Sequence, residues 1–126
     1  MTLENLNNEF NAAVSQFSNT ENFLERSKKF GDLLLEEKED FWKIQGQQAL
    51  SVLLAQFLSV SKEPGFNEFV SFIKGLASPV TGNDLSETVK SRFRDEAERF
   101  STQSPQTMSA VIDLLKKNIV RTQCAA

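Results

Sequence analysis

The sequence predicts an all-α protein of about five long amphipathic helices, packed as a coiled coil or as a bundle within one domain spanning 1–126. Two observations predict this fold class. Apolar residues recur at every third or fourth position over most of the chain, which is the spacing of a helix with one apolar face. No segment shows the strict alternation of apolar and polar residues that marks a half-buried strand.

The N-terminal half is predicted to form an amphipathic helix at 1–18 and a long helix at 19–62. The weak break at 18–20 leaves open whether the two are continuous. No proline interrupts the long helix, although Gly31 and Gly46 each weaken it by about 1 kcal/mol relative to alanine. Its later part, 49–60, is apolar nearly all round and needs cover, so we expect a dimer, trimer or tetramer.

The C-terminal half is predicted to contain three shorter helices. Pro64 ends the long helix, Gly75 is a candidate C-cap, and Ser104 with Pro105 is a typical helix start. Asp84 begins a segment that resembles a capping box. The periodicity does not choose between extended rods associating as coiled coils and a closed bundle. The three predicted helices are 65–75, 84–101 and 105–121.

The composition argues against catalysis. The chain has no histidine, which removes the commonest general base, a usual metal ligand and every histidine-activated nucleophile. Glu36 and Asp40 are the best candidates for a metal-binding pair, but carboxylate bundles usually add histidine, so we interpret the pair as part of a solvated face. The lone Cys124 has no activating partner, and 80–83 is interpreted as a plain loop rather than an anion site. We expect no enzyme activity, metal or cofactor.

Charge and hydropathy also narrow the possible partners and compartments. A formal net charge of −3 disfavours nucleic acid, which needs a basic surface. No apolar run reaches the roughly 18–20 residues that span a bilayer, so we expect no transmembrane segment. The N-terminal residues lack the basic and apolar regions of a signal peptide, and together with the single cysteine they lead us to expect a cytoplasmic protein.

Phenylalanine is the most informative residue type. The chain has 11 Phe and one Trp but no Tyr, a set that suits packing and adsorption to apolar surfaces. Several Phe pairs lie one heptad apart on a predicted helix face, which indicates either core packing or an apolar binding stripe. We predict that hydrophobic-surface binding uses Leu6, Phe10, Phe17, Phe23, Phe30, Leu34 and Phe41. We predict that oligomer or core packing uses Leu50, Leu53, Leu54, Phe57, Leu58, Phe93 and Phe100.

The layout from about Phe23 to Phe100 resembles the phasins, small helical proteins that coat bacterial polyhydroxyalkanoate granules. The segment 45–50 (QGQQAL) is similar to their glutamine- and alanine-rich middle, 61–69 (SKEPGFNEF) to the turn into a short helix, and 76–79 (LASP) to a second break. The resemblance implies a non-enzymatic, amphiphilic coat protein at the granule surface, homo-oligomeric through coiled-coil helices and without a cofactor. The alternative is a helical protein–protein interaction module of chaperone or adaptor type.

Overall fold

The computed structural model of the chain describes residues 3–35, 40–76 and 84–124, and within these ranges it contains seven helices and no strand. The predicted all-α class is confirmed, while the helices are more numerous than the five predicted and all but the last are shorter than predicted. Their bounds are α1 Leu3–Ser15, α2 Thr20–Leu34, α3 Asp40–Val60, α4 Phe66–Lys74, α5 Glu87–Arg92, α6 Arg94–Ser101 and α7 Pro105–Cys124.

The first two helices form an antiparallel hairpin, here called the α1–α2 hairpin. Asn19 caps the start of α2, its side-chain oxygen accepting a hydrogen bond of 3.1 Å from the backbone N–H of Asn22. Phe17 contacts Phe23 close to the turn, and Phe10 contacts Phe30 farther from it, which is the pairing expected of antiparallel helices. The weak break predicted at 18–20 is therefore a true turn.

The single helix predicted at 19–62 is replaced by α2 and α3. Helix α2 ends at Leu34, and Leu35 takes an extended conformation with φ −94° and ψ 115°. The Leu34 carbonyl accepts a hydrogen bond of 2.9 Å from Arg121 Nη2, and the Leu35 side chain is buried. Contacts with distant parts of the chain thus stabilise an end that local helix propensity does not predict.

The helix predicted at 84–101 is also divided. Phe93, with φ −120° and ψ 48°, separates α5 from α6, and its side chain is buried. The N-cap is Ser86 rather than the predicted Asp84, since Ser86 Oγ accepts a hydrogen bond of 3.4 Å from Val89 N. Burial of the Phe93 ring accompanies this interruption of regular helix.

Helix α3 occupies the centre of the fold and packs against α2, α4, α5, α6 and α7. In its apolar half, predicted to need cover, residues 49–55 are all buried within the same chain, while Val60 at its end is exposed. Glutamine side chains on α3 add polar links: Gln47 donates to Asp32 on α2, and Gln56 Oε1 accepts from Ser86 N at 2.7 Å. The chain therefore folds back on itself as a bundle around α3.

Candidate apolar binding surfaces

The residues predicted to bind a hydrophobic surface lie mostly inside the folded chain. Phe41 is the exception, with 56% of its surface exposed. Phe17 is half-buried, and the other five are buried without measurable exposure: Leu6, Phe10, Phe23, Phe30 and Leu34. Because the apolar faces of α1 and α2 turn toward each other and toward the rest of the bundle, the closed protein does not present this stripe to solvent.

Six of the seven residues predicted to bind a hydrophobic surface nevertheless lie on one structural element, the α1–α2 hairpin. Leu6, Phe10 and Phe17 come from α1 and the turn after it, while Phe23, Phe30 and Leu34 come from α2. Together they form the inner face of the α1–α2 hairpin, which we call the hairpin face. The structure thus brings these predicted residues together, but they face the interior of the bundle and not solvent.

The largest group of aromatic contacts joins the hairpin face to α3 and α4. The Phe10 ring lies 5.6 Å from Phe30, 5.5 Å from Phe66 and 5.6 Å from Phe69, measured between ring centroids. The pairs with Phe30 and Phe66 are edge-to-face, a geometry that contributes about 0.5–1.5 kcal/mol per pair beyond the burial of its area. This phenylalanine cluster consists of Phe10, Phe30, Phe57, Phe66, Phe69 and Phe72.

A second aromatic group lies at the turn of the hairpin. Phe17 contacts Phe23 edge-to-face at 5.2 Å and stacks on Phe93 at 6.2 Å, with an angle of 11° between the ring planes. The Arg92 guanidinium lies 4.6 Å from the Phe17 centroid and 5.1 Å from that of Phe93. A cation over two ring faces is a favourable arrangement, so this group ties α5 to the hairpin.

The residues predicted for oligomer or core packing lie in the interior of the single chain. Leu58 is half-buried, and the other six are buried: Leu50, Leu53, Leu54, Phe57, Phe93 and Phe100. The five on α3 sit where α3 meets its neighbouring helices. Core packing accounts for their positions, and a further role in an oligomer stays a prediction.

The exposed apolar residues at the start of α3 were only partly anticipated. Phe41 and Trp42 meet edge-to-face at 5.1 Å, and Ile44 is 49% exposed. Trp42 borders a depression of about 310 Å³ against Leu114 on α7, and Phe41 borders another of about 400 Å³ beside Arg99 on α6. Consecutive residues on a helix lie on different sides of it, so Phe41 and Trp42 cannot both face the core. Their adjacency in the sequence is a signal that one of the two rings is exposed.

The sequence-based candidates for chemistry fall largely outside the described residues. This holds for Glu36, the side chain of Asp40, the loop 80–83 and the side chain of Cys124. Among the residues that the structure does describe, no group of three or more acidic or cysteine side chains could hold a metal ion. No helix in the same ranges is long and apolar enough to cross a membrane. The expectations about catalysis and cofactors stay predictions from the sequence.

No protein-family model, curated protein or solved structure matches this chain. Its function is therefore inferred from its own contacts and chemistry.

Proposed function

We propose that this protein is a non-enzymatic, amphiphilic protein that binds an apolar surface through the hairpin face. The surface is that of a polyhydroxyalkanoate granule, as the resemblance to phasins implies, and the place of action is the granule in the cytoplasm. The observation that supports the proposal is the grouping of six predicted binding residues on one face of one hairpin. A single movement of that hairpin presents all of them together.

The energetics of burial make this exchange feasible. Each Phe side chain removed from water contributes about 1.5–3 kcal/mol, whether a protein core or a polymer covers it. In water the rings therefore stay in the bundle interior. Against an apolar surface the polymer covers the same rings. The free energy gained from this contact offsets the free energy lost with the interior contacts.

The outer side of the hairpin suits the same role. Most charged side chains of the hairpin are exposed, Glu9 being half-buried, so they stay in water when the inner face is turned toward a polymer. The charges have both signs, which provides a hydrated coat without strong attraction to an anionic membrane. The exposed charged residues of the hairpin are Glu4, Glu21, Glu25, Arg26, Lys28, Lys29 and Asp32.

A disulfide between α2 and α3 tests the proposal. A Cβ atom placed on Gly31 would lie 3.1 Å from Gln47 Cγ and 3.7 Å from Gln47 Cα, so the two positions are in direct contact, as a disulfide requires. The variant carries Gly31→Cys and Gln47→Cys, with Cys124→Ser to remove the native thiol. Adsorption to polyhydroxybutyrate particles and to oil droplets is measured by sedimentation or flotation, before and after reduction.

The reduced variant is expected to adsorb and the oxidised variant to remain in the aqueous phase. The two forms have the same amino-acid sequence, so reduction itself is the matched control. Equal adsorption of both forms would show that α2 need not leave α3 for binding. Failure of the unmodified protein to adsorb to either surface would also contradict the proposal.

A second candidate function is a protein–protein interaction module, and the exposed group at the start of α3 favours it. Phe41, Trp42 and Ile44 offer aromatic and aliphatic surface without any change of fold, and aromatic residues are enriched in protein interfaces. For this function, Phe41→Glu together with Ile44→Glu is expected to abolish binding of a stoichiometric protein partner. The oxidised α2–α3 disulfide leaves that binding intact.

A further inference from the structure

Helix α2 is fastened at both ends by arginine side chains from the C-terminal half of the chain. At its start, Arg92 donates through Nη2 to the Phe17 carbonyl and to Thr20 Oγ1, the latter at 3.3 Å. At its end, Arg121 Nη2 donates to the Leu34 carbonyl at 2.9 Å. These contacts join residues that are 72 to 87 positions apart in sequence.

The carbonyl acceptors are the ones that a helical hairpin leaves without partners. The last carbonyls of a helix lack partners within the helix and carry partial negative charge. Neither α1 nor α2 has a basic residue in its last turn. Arg121 of α7 supplies the missing donor to the last carbonyl of α2. Arg92 of α5 supplies one to the Phe17 carbonyl, just beyond the end of α1.

Both contacts are suited to reversible opening. Arg92 and Arg121 are only partly buried, and the carbonyls they bind are neutral. When the hairpin moves away, water can hydrate the guanidinium groups and the freed backbone carbonyls, which lowers the cost of breaking these hydrogen bonds.

We infer that Arg92 and Arg121 are latches, which hold the α1–α2 hairpin closed and set how readily the hairpin face becomes available. The latch follows from the contacts described above, whereas its purpose, controlled binding to an apolar surface, rests on the proposed function. Arg92 also holds the turn of the hairpin through its positions over the Phe17 and Phe93 rings. The two latches lie at opposite ends of α2, so both must open before its apolar face is freed.

Hydrogen exchange followed by mass spectrometry tests the latches in Arg92→Ala, Arg121→Ala and the double variant. Loss of a hydrogen bond from a charged donor is expected to speed exchange in α1 and α2 about tenfold in each single variant, and further in the double variant. Amides of α3 in the range 50–55 are expected to change much less. Arg94→Ala, which removes an exposed arginine on α6, is the control and leaves exchange unchanged.

Arg92→Lys and Arg121→Lys provide milder variants in case the alanine variants fail to fold. Lysine keeps the charge but cannot offer two parallel donors or a planar group to the rings, so exchange intermediate between wild type and alanine is expected. Equal acceleration in α3 and in the hairpin would overturn the inference, because the arginines would then support only global stability.

Adsorption to polyhydroxybutyrate particles, measured on the same variants, separates the latch from its purpose. Faster hydrogen exchange in the hairpin of the alanine variants, together with stronger adsorption, supports both the latch and its proposed purpose. Faster hairpin exchange with unchanged adsorption supports the latch and contradicts the proposed use of the hairpin face. Unchanged hairpin exchange in the double variant overturns the latch whatever the adsorption.

Discussion

Leu35 packs directly onto Gly46. A Cβ atom at position 46 would lie only 2.8 Å from Leu35 Cδ1, closer than two carbon atoms approach without strain. Leu35 is 1% exposed, so the bare backbone of α3 provides the space that this side chain occupies. Leu35 has an extended backbone just beyond α2, so its contact with Gly46 stabilises the end of α2 at Leu34.

A double-mutant cycle tests this relationship. Gly46→Leu is expected to destabilise the protein by about 1–3 kcal/mol through overpacking, and Leu35→Ala by about 2–5 kcal/mol through loss of a buried side chain. In the double variant the new leucine fills the vacated space, so the loss is expected to be smaller than the sum by at least about 1 kcal/mol. Urea unfolding followed by circular dichroism measures all three variants, and strict additivity would contradict the contact.

The same contact shows which parts of the fold the sequence could predict. The end of the long helical region before α4 carries its own local signals, Pro64 and Gly65, and α3 ends just before them, at Val60. The end of α2 has no such signal. It depends on Gly46 and Arg121, which lie 11 and 86 positions beyond Leu35, and periodicity within one helix carries no information about such partners.

The same limit applies to predicting the position of the candidate binding residues from the sequence. Heptad-spaced phenylalanines identify the apolar face of a helix, but spacing does not say what covers that face. Here the partners of Phe10 are Phe66 and Phe69 of α4, a helix more than fifty positions away. Spacing therefore identified six residues that share the hairpin face, and only the structure places them inside the closed bundle.

Two serine-to-alanine substitutions are expected to have opposite effects. Ser27 Oγ is buried in α2 and has no hydrogen-bond partner among the described residues, so Ser27→Ala is expected to stabilise the protein by about 1 kcal/mol. Ser86 caps α5, and Ser86→Ala is expected to cost about 1 kcal/mol. Thermal and urea unfolding of the two variants give the sign, and destabilisation by Ser27→Ala would show that the hydroxyl has a bonding role.

The phenylalanine cluster is expected to dominate stability. Phe30 is fully buried and its ring contacts those of Phe10, Phe66 and Phe69. Phe30→Ala is therefore expected to cost about 3–5 kcal/mol. Phe41→Ala removes the same ring from a largely exposed position and is expected to cost less than about 1 kcal/mol. Similar costs for the two variants in urea unfolding would mean that the hairpin does not rest on this cluster in water.

The cover of α3 within the chain leads us to predict a monomer. An oligomer was expected because 49–60 is apolar nearly all round, yet α3 packs against five helices of its own chain and residues 49–55 of this segment are all buried. Residues 49–55 therefore need no cover from a partner subunit, although Val60 at the end of α3 is 58% exposed. Sedimentation velocity at micromolar concentration is expected to show a monomer, both for the unmodified protein and for the oxidised variant that carries Gly31→Cys and Gln47→Cys. A stable dimer in both forms would show that an outer face, such as the one around Phe41, binds a second copy. A dimer only after reduction would instead show that the opened hairpin face mediates association.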